Sequence, residues 1–314
     1  MGASPDELAF LPNATSALNV VARSLRLREG DEVLATDHEY GAADLLWETV
    51  CAGAGARYIR QPVPLPVRSH DEVADAIWSA VTERTRVFFV SHVTSPTALI
   101  LPVRELCRRA RAAGIVSVVD GAHGPGHVPL DLHELGADAY AGNCHKWMCA
   151  PKGAGFLWLR PDLHDRVDAL VIGWGYAEED APFVARHEGQ GTRDPAAYLA
   201  VPAALDFLAA HDWAAVRGDC HKLVSSARAR LADLTGVEPL QPDSADWFAQ
   251  MVTAALPDGC DAERLGLTLA QEHGIEVGAK SWNGRPTIRV SAQAYNTEDD
   301  LDRLFDALPP LLRA

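Results

Sequence analysis

The chain is 314 residues and 33.8 kDa, with 48% apolar and 23% charged residues, an ordinary composition for a globular protein of about two domains. Forty-three acids against 28 bases leave a net charge of −15, a field that repels phosphate backbones and anionic lipid and argues against nucleic-acid or membrane-surface partners. No apolar run has the length of a bilayer span, and the first residues lack the basic and apolar regions of a secretion signal. Six irregularly spaced cysteines therefore read as reduced thiols of a cytoplasmic protein.

In chain order, short β-rich runs alternate with helical patterns. Strands are predicted at 32–34, 57–59, 87–90, 116–119, 139–140 and 156–159, with helices at 17–25, 44–53, 71–82 and 103–113. Such alternation predicts a mostly parallel sheet covered by helices on both faces. The unbroken apolar run at 87–90 suits a strand buried on both sides. Past Gly191 the texture changes. Long helices are predicted at 194–210 and 213–234, then a strand at 249–256, a helix at 261–273, a strand at 287–290 and a terminal helix at 297–312. The chain reads as α/β in two parts: a large domain over 1–208 and a smaller C-terminal α+β domain over 209–314.

Three segments place reactive residues where parallel sheets keep their ligands, beyond the carboxyl ends of strands. The β-branched run at 115–119 ends in Asp120-Gly121-Ala122-His123. An acid there is either a capping residue or a buried carboxylate that needs a cationic partner. A second strand runs into Asn143-Cys144-His145-Lys146-Trp147. The chain has 24 arginines but only four lysines, Lys146, Lys152, Lys222 and Lys280, so amine chemistry has few places to occur. Lys146, flanked by Trp147 and Met148, is either a solvated surface group or a partly desolvated amine that loses its proton readily. The third segment, Pro12-Asn13-Ala14-Thr15-Ser16, opens a helix and reads as an ordinary N-cap or as an anion site made by backbone N–H groups and the helix dipole. A phosphate cradle, an acid behind a strand and a poised lysine are together the parts that hold pyridoxal phosphate.

On these residues the chain resembles the fold-type-I pyridoxal-phosphate enzymes of the class V aminotransferase superfamily, and within it the isopenicillin N epimerase-like branch. The resemblance runs from Asn13 to the C-terminus. It is carried by the stretches that begin at Asn13, Asp37, Ser91, Asp120, Gly142, Gly191 and Arg289. It implies a mostly parallel central sheet flanked by helices and a smaller C-terminal domain, with pyridoxal 5'-phosphate as cofactor. It implies that Lys146 forms the Schiff base and Asp120 pairs with the pyridine nitrogen. Ala14 and Thr15 would bind phosphate at the helix start, assisted by Asn143 and His145. Tyr40 would stack on the cofactor ring, and His92 and His123 would lie near its phenolic oxygen and the substrate. Thr192 would reach the phosphate of a second subunit, so that the active unit is a homodimer with shared sites. Arg289 would grip the substrate carboxylate, a role suited to a planar guanidinium.

Two departures from the family pattern qualify these expectations. The family carries a further segment before the phosphate-binding helix, whereas here that helix begins within a dozen residues of Met1. The stretch 274–288, where desulfurases of the superfamily hold a sulfur-accepting cysteine, contains none, which argues against a persulfide-forming cysteine desulfurase. The expected activity is that of an epimerase or racemase acting at an amino-acid α-carbon, with a C–S lyase or aminotransferase as the alternative. A retired fold that binds cofactor without turnover is the reading from another class. A zinc site built from His123, His127, Cys144, His145 and Cys149 matches no common ligand spacing, and no HExxH occurs. Gly121, Gly124 and Gly126 lack the dinucleotide-binding spacing, and Pro125 stands where a helix should open.

Overall fold

The computed structural model describes residues 1–177 and 180–312. The chain divides into two units. The first comprises Met1–Val63, His70–Val93 and Leu101–Ala210, and the second Pro64–Ser69, Thr94–Ile100 and His211–Ala314. The last change of unit falls between Ala210 and His211. The two short excursions at 64–69 and 94–100 have no signature in the sequence, because neither carries a regular element of its own.

In chain order the first unit is built from β1 (Leu8–Leu11), α1 (Ala14–Ser24), β2 (Glu32–Thr36), α2 (Gly41–Ala54), β3 (Arg57–Gln61), α3 (His70–Trp78) and β4 (Thr85–Ser91). It continues with α4 (Val103–Ala112), β5 (Val116–Gly121), α5 (Leu132–Leu135), β6 (Ala139–Asn143) and β7 (Gly155–Leu159), then α6 (Phe183–Glu188), α7 (Ala196–Leu199) and α8 (Val201–Ala210). The strands form one seven-stranded sheet in the order β1-β7-β6-β5-β4-β2-β3. The pairs from β3 to β6 are parallel, while β7 joins β6 and β1 antiparallel. The sheet is thus mostly parallel, as the alternation of strands and helices predicts.

Alternate residues of the sheet serve its two faces. Val33, Ala35, Val87, Phe89, Val118, Ala139 and Leu157 share a core with α1 and α2, whose Ala17, Leu18, Val21, Leu46 and Trp47 are buried. On the opposite face Leu34, Phe88, Val90 and Val119 are equally buried, and Trp78 of α3 meets Phe88 edge-on at 6.4 Å. Burial on both faces is why these strands read as continuous apolar runs rather than alternating ones. The sequence missed β1. It is four residues long and is an edge strand defined by its antiparallel pairing with β7.

The second unit contains α9 (Trp213–Thr235), β8 (Met251–Ala255), α10 (Ala262–His273), β9 (Gly278–Trp282), β10 (Arg285–Ser291) and α11 (Glu298–Leu311). Its antiparallel sheet has the order β8-β10-β9. The sequence pattern missed β9, an edge strand of mostly exposed residues with no apolar alternation to reveal it. The predicted helix at 194–210 is two helices, α7 and α8, with Ala200 between them. Among the described residues no single helix is long and apolar enough to cross a membrane.

Candidate active site

The parallel strands β2, β4, β5 and β6 bring their carboxyl ends to one edge of the sheet. Strand order reverses between β2 and β4, the topological switch point at which open α/β sheets bind ligands. Tyr40, His92, Asp120, His123, Asn143, His145 and Lys146 all lie at or just past these ends. The sequence gives their positions; the sheet brings them together.

Asp120 ends a buried stretch of β5 and is itself only 5% exposed. One carboxyl oxygen accepts the Ala122 N–H at 2.8 Å. Burial raises its pKa above the ordinary aspartate range, against the opposing pull of that N–H and of the Lys146 charge. A fully buried acid of this kind calls for a cationic partner.

Lys146 follows β6 and places Nζ 3.1 Å from His123 Nε2. The Trp147 indole N–H donates to His123 Nδ1, also at 3.1 Å. An indole can only donate, so Nδ1 is an acceptor and the ring proton of neutral His123 sits on Nε2. That proton points at Lys146 Nζ, and an ammonium has no lone pair to receive it. With this tautomer Nε2 donates toward Nζ, an arrangement that favours the unprotonated, nucleophilic form of the amine over its ammonium. Trp147 is itself fixed by the His127 ring, stacked on it at 4.2 Å and 13°. His127 Nδ1 donates to the His123 carbonyl at 2.9 Å. Sequence reading considered His127 only as a metal ligand, and nothing in its spacing announces a stacking role. Among the described residues no group of three His, Cys, Asp or Glu is placed to hold a metal ion.

The start of α1 is tied to the end of β6. Asn143 Oδ1 accepts the Ala14 N–H at 2.8 Å in a buried bond, and Asn13 Oδ1 caps Ser16 N–H at 2.9 Å. Ala14 and Asn143 thus satisfy each other and orient the helix, while Thr15 stands exposed at its mouth. His145 turns its Nδ1 to the Ala154 carbonyl at 3.2 Å. His92 is buried, with Nδ1 3.1 Å from the Tyr140 hydroxyl, and burial pushes its pKa down to about 4, so it is neutral at pH 7. Tyr140 needs the glycine at 121: a Cβ there would lie 2.0 Å from its ring. Tyr40 precedes α2 and is 48% exposed. Thr192, past Gly191, is exposed as well. Arg289 belongs to the second unit, where its Nη1 donates to the Ser95 carbonyl.

These residues fit the pyridoxal phosphate that the sequence resemblance implies. Lys146 offers an amine, Asp120 a buried carboxylate for a pyridinium, and α1 an N-terminus for a phosphate.

Sequence reasoning also missed Glu39. Its carboxyl is buried at the switch point and receives the hydroxyls of Thr36, the last residue of β2, at 2.5 Å and of Ser91, the last of β4, at 2.6 Å. Burial is the main cause that pushes its pKa up to about 8, with the Asp120 charge adding to it. A neutral acid therefore pins the two strand ends where the sheet divides. The folded state holds this proton at pH values where an unfolded glutamate has lost it, so stability falls as pH rises from the ordinary glutamate range through about 8. Glu39→Gln, which keeps the shape and stays neutral, is expected to unfold near the parental temperature at pH 5 and several degrees above it at pH 9. Thermal denaturation at the two pH values measures this, and a gap independent of pH would contradict the neutral-acid assignment.

Comparison with known proteins identifies the family and the fold. The family described as "Aminotransferase class-V" matches residues 1–304. The isopenicillin N epimerase of Streptomyces clavuligerus is 40% identical over 324 residues, covering 99% of this chain and 81% of that protein. A putative L-cysteine desulfhydrase of Oryza sativa subsp. japonica is 30% identical, covering 98% of this chain and 71% of its own. Among solved structures, a cysteine desulfurase from Escherichia coli superposes with a TM-score of 0.83 at 24% identity, over 99% of this chain and 80% of that one, which is a likeness of fold. The chain belongs to the class V aminotransferase family.

Proposed function

We propose that this protein is a pyridoxal-phosphate-dependent enzyme that inverts the α-carbon of an amino-acid-type substrate. The observation that carries the reading is the Asp120–His123–Lys146–Trp147 arrangement in a chain 40% identical to an isopenicillin N epimerase. Bound to the protein, pyridoxal phosphate supplies an electron sink that acidifies the substrate's α-proton. Lys146 Nζ would hold the cofactor, and its free amine is the base placed for that proton. His123 Nε2–H, within hydrogen-bond reach of Nζ, orients the lone pair of the free amine, and Trp147 keeps His123 in the tautomer that donates there. Asp120 holds the proton of the pyridine nitrogen. Thr15, with the free end of α1, receives the phosphate, and Arg289 receives the substrate carboxylate. Among the described residues Cys51, Cys107, Cys144, Cys220 and Cys260 form no disulfide, which suits a reducing cytoplasm.

The second reading is β-elimination from a sulfur-bearing amino acid, favoured by relatives described as L-cysteine desulfhydrases at 28–30% identity. It shares the same first proton transfer. Other relatives are described as cysteine desulfurases; the stretch from Gly274 to Ile288 has no cysteine to accept sulfur.

The active particle in this proposal is a homodimer with shared sites. Leu170, Val171, Ile172, Trp174, Leu199 and Phe207 are large apolar side chains of the first unit that stand exposed around the segment carrying Thr192. Such a concentration is characteristic of a covered surface.

Three experiments test these statements. Purified protein is expected to be yellow, and borohydride is expected to fix the cofactor to the peptide containing Lys146; attachment at Lys152, Lys222 or Lys280 would refute the site. Incubation with a panel of amino acids and S-substituted cysteines should change product chirality without releasing keto acid or sulfur. Sulfide with pyruvate would favour elimination instead. Finally, Lys146→Ala and a Thr192 variant that loses cofactor should each be inactive alone and should partly recover activity on subunit exchange. Absence of recovery after demonstrated exchange would place Thr192 outside any shared site.

A further inference from the structure

The small sheet of the second unit has two unlike faces. Val252, Ala254, Ile288 and Val290 are buried, and on the same face Ala279 of β9 packs against Gly266 of α10. Register places Thr287 opposite Lys280, and Arg289 opposite both Gly278 and Thr253. Lys280, Thr287, Arg289 and Thr253 therefore share the other, polar face. Lys280 and Arg289 are diagonal neighbours across β9 and β10, a separation that long side chains bridge.

Arg289 is held in a defined pose. Its Nη1 donates to the Ser95 carbonyl and approaches the Ser95 hydroxyl at 3.4 Å. The arginine lies across β9 at Gly278, where its Cβ, Nε and Nη2 are 3.4–3.6 Å from the position a Cβ would take. Nε is buried and makes no hydrogen bond. With Nη1 engaged, Nε and Nη2 form the remaining edge of the guanidinium, the edge that receives a carboxylate in a two-point contact. Lys280 is exposed beside it.

Among the described residues no carboxylate acts on either cation; burial lowers both pKa values, and the Arg289 charge lowers that of Lys280 further. Two cations that repel each other on one face, one of them with an idle hydrogen-bonding edge, are stabilised by an anion bound between them.

We propose that Lys280 and Arg289 form a two-cation site for a ligand bearing two anionic groups, which makes a dicarboxylic amino acid the substrate class of the reaction proposed above. One carboxylate takes the free edge of Arg289, and the second meets the ammonium of Lys280, whose flexible stem sets the distance between them. The substrate class rests on the enzymatic reading; the anion site does not.

The test is titration calorimetry of the protein as purified with its cofactor, using glutarate and butyrate as probes. Glutarate is expected to bind at least about tenfold more tightly than butyrate, the gain of one charge-assisted contact. Lys280→Gln should remove that preference and leave butyrate affinity unchanged, while Lys280→Arg should retain it. Lys280 is exposed on an edge strand, so the variants are expected to fold, and an unchanged cofactor absorption band checks this. With L-glutamate as substrate, Lys280→Gln should raise KM with little change in kcat, and by a larger factor than with L-glutamine. Equal binding of the two probes by the parent, or a glutarate preference that survives in Lys280→Gln, would overturn the site. If borohydride attaches no cofactor to Lys146 while the glutarate preference holds and is lost in Lys280→Gln, the enzymatic reading fails and the anion site stands. Cofactor at Lys146 with no glutarate preference is the converse.

Discussion

A carboxylate buried at the end of a strand is the constraint on which the first unit's chemistry depends. Asp120 closes β5, flanked in the sheet by β4 and β6, and receives one backbone N–H. Leaving an acid so placed without a positive partner costs far more than a hydrogen bond returns. A protonated ring nitrogen relieves that cost, and so does the nearby Lys146 charge while the lysine carries one. The His123 tautomer points the other way, toward a neutral lysine. The two influences bear on one amine, and binding a cationic ring beside Asp120 frees Lys146 from serving as the counter-charge. On this view the acid and the amine are tuned together.

The supporting residues divide the labour. Trp147 and His127 form a stacked pair that fixes one imidazole nitrogen and leaves the other facing Lys146. Asn143 uses its side chain on Ala14 and so locks the start of α1 to the end of β6, which sets where the helix dipole points. Glu39 joins the last residues of β2 and β4 at the place where their connections diverge. A charged carboxylate could also accept both hydroxyls, but it would stand close to Asp120, and burial makes the neutral form the cheaper one. Hydrogen bonds of this kind are worth little singly. Their value here is to fix atoms to which a proton must be delivered.

The small sheet repeats the logic with the sign reversed. Its apolar face is spent on α10 and its neighbours, and its polar face presents Lys280 and Arg289, on which no carboxylate acts among the described residues. A guanidinium whose buried Nε lacks a partner is informative because burial without a hydrogen bond costs stability.

The sequence by itself determined the alternation of strands and helices, and hence the mostly parallel sheet, because residues buried on both faces must be apolar throughout. It also marked an acid and an amine, Asp120 and Lys146, that each follow an apolar run; that the two strands are neighbours came from the fold. Weak local signals left β1 and β9 hidden: both are short edge strands whose pairing, not pattern, defines them. Only the tertiary structure decided the tautomer of His123, because the indole of Trp147, 24 residues along the chain, meets it through space. The same holds for the neutral state of Glu39, which follows from burial between Thr36 and Ser91, residues 55 positions apart along the chain. It holds too for the pairing of Lys280 with Arg289. Periodicity records what a residue needs from the solvent, whereas protonation and charge pairing depend on which distant groups the fold sets beside it.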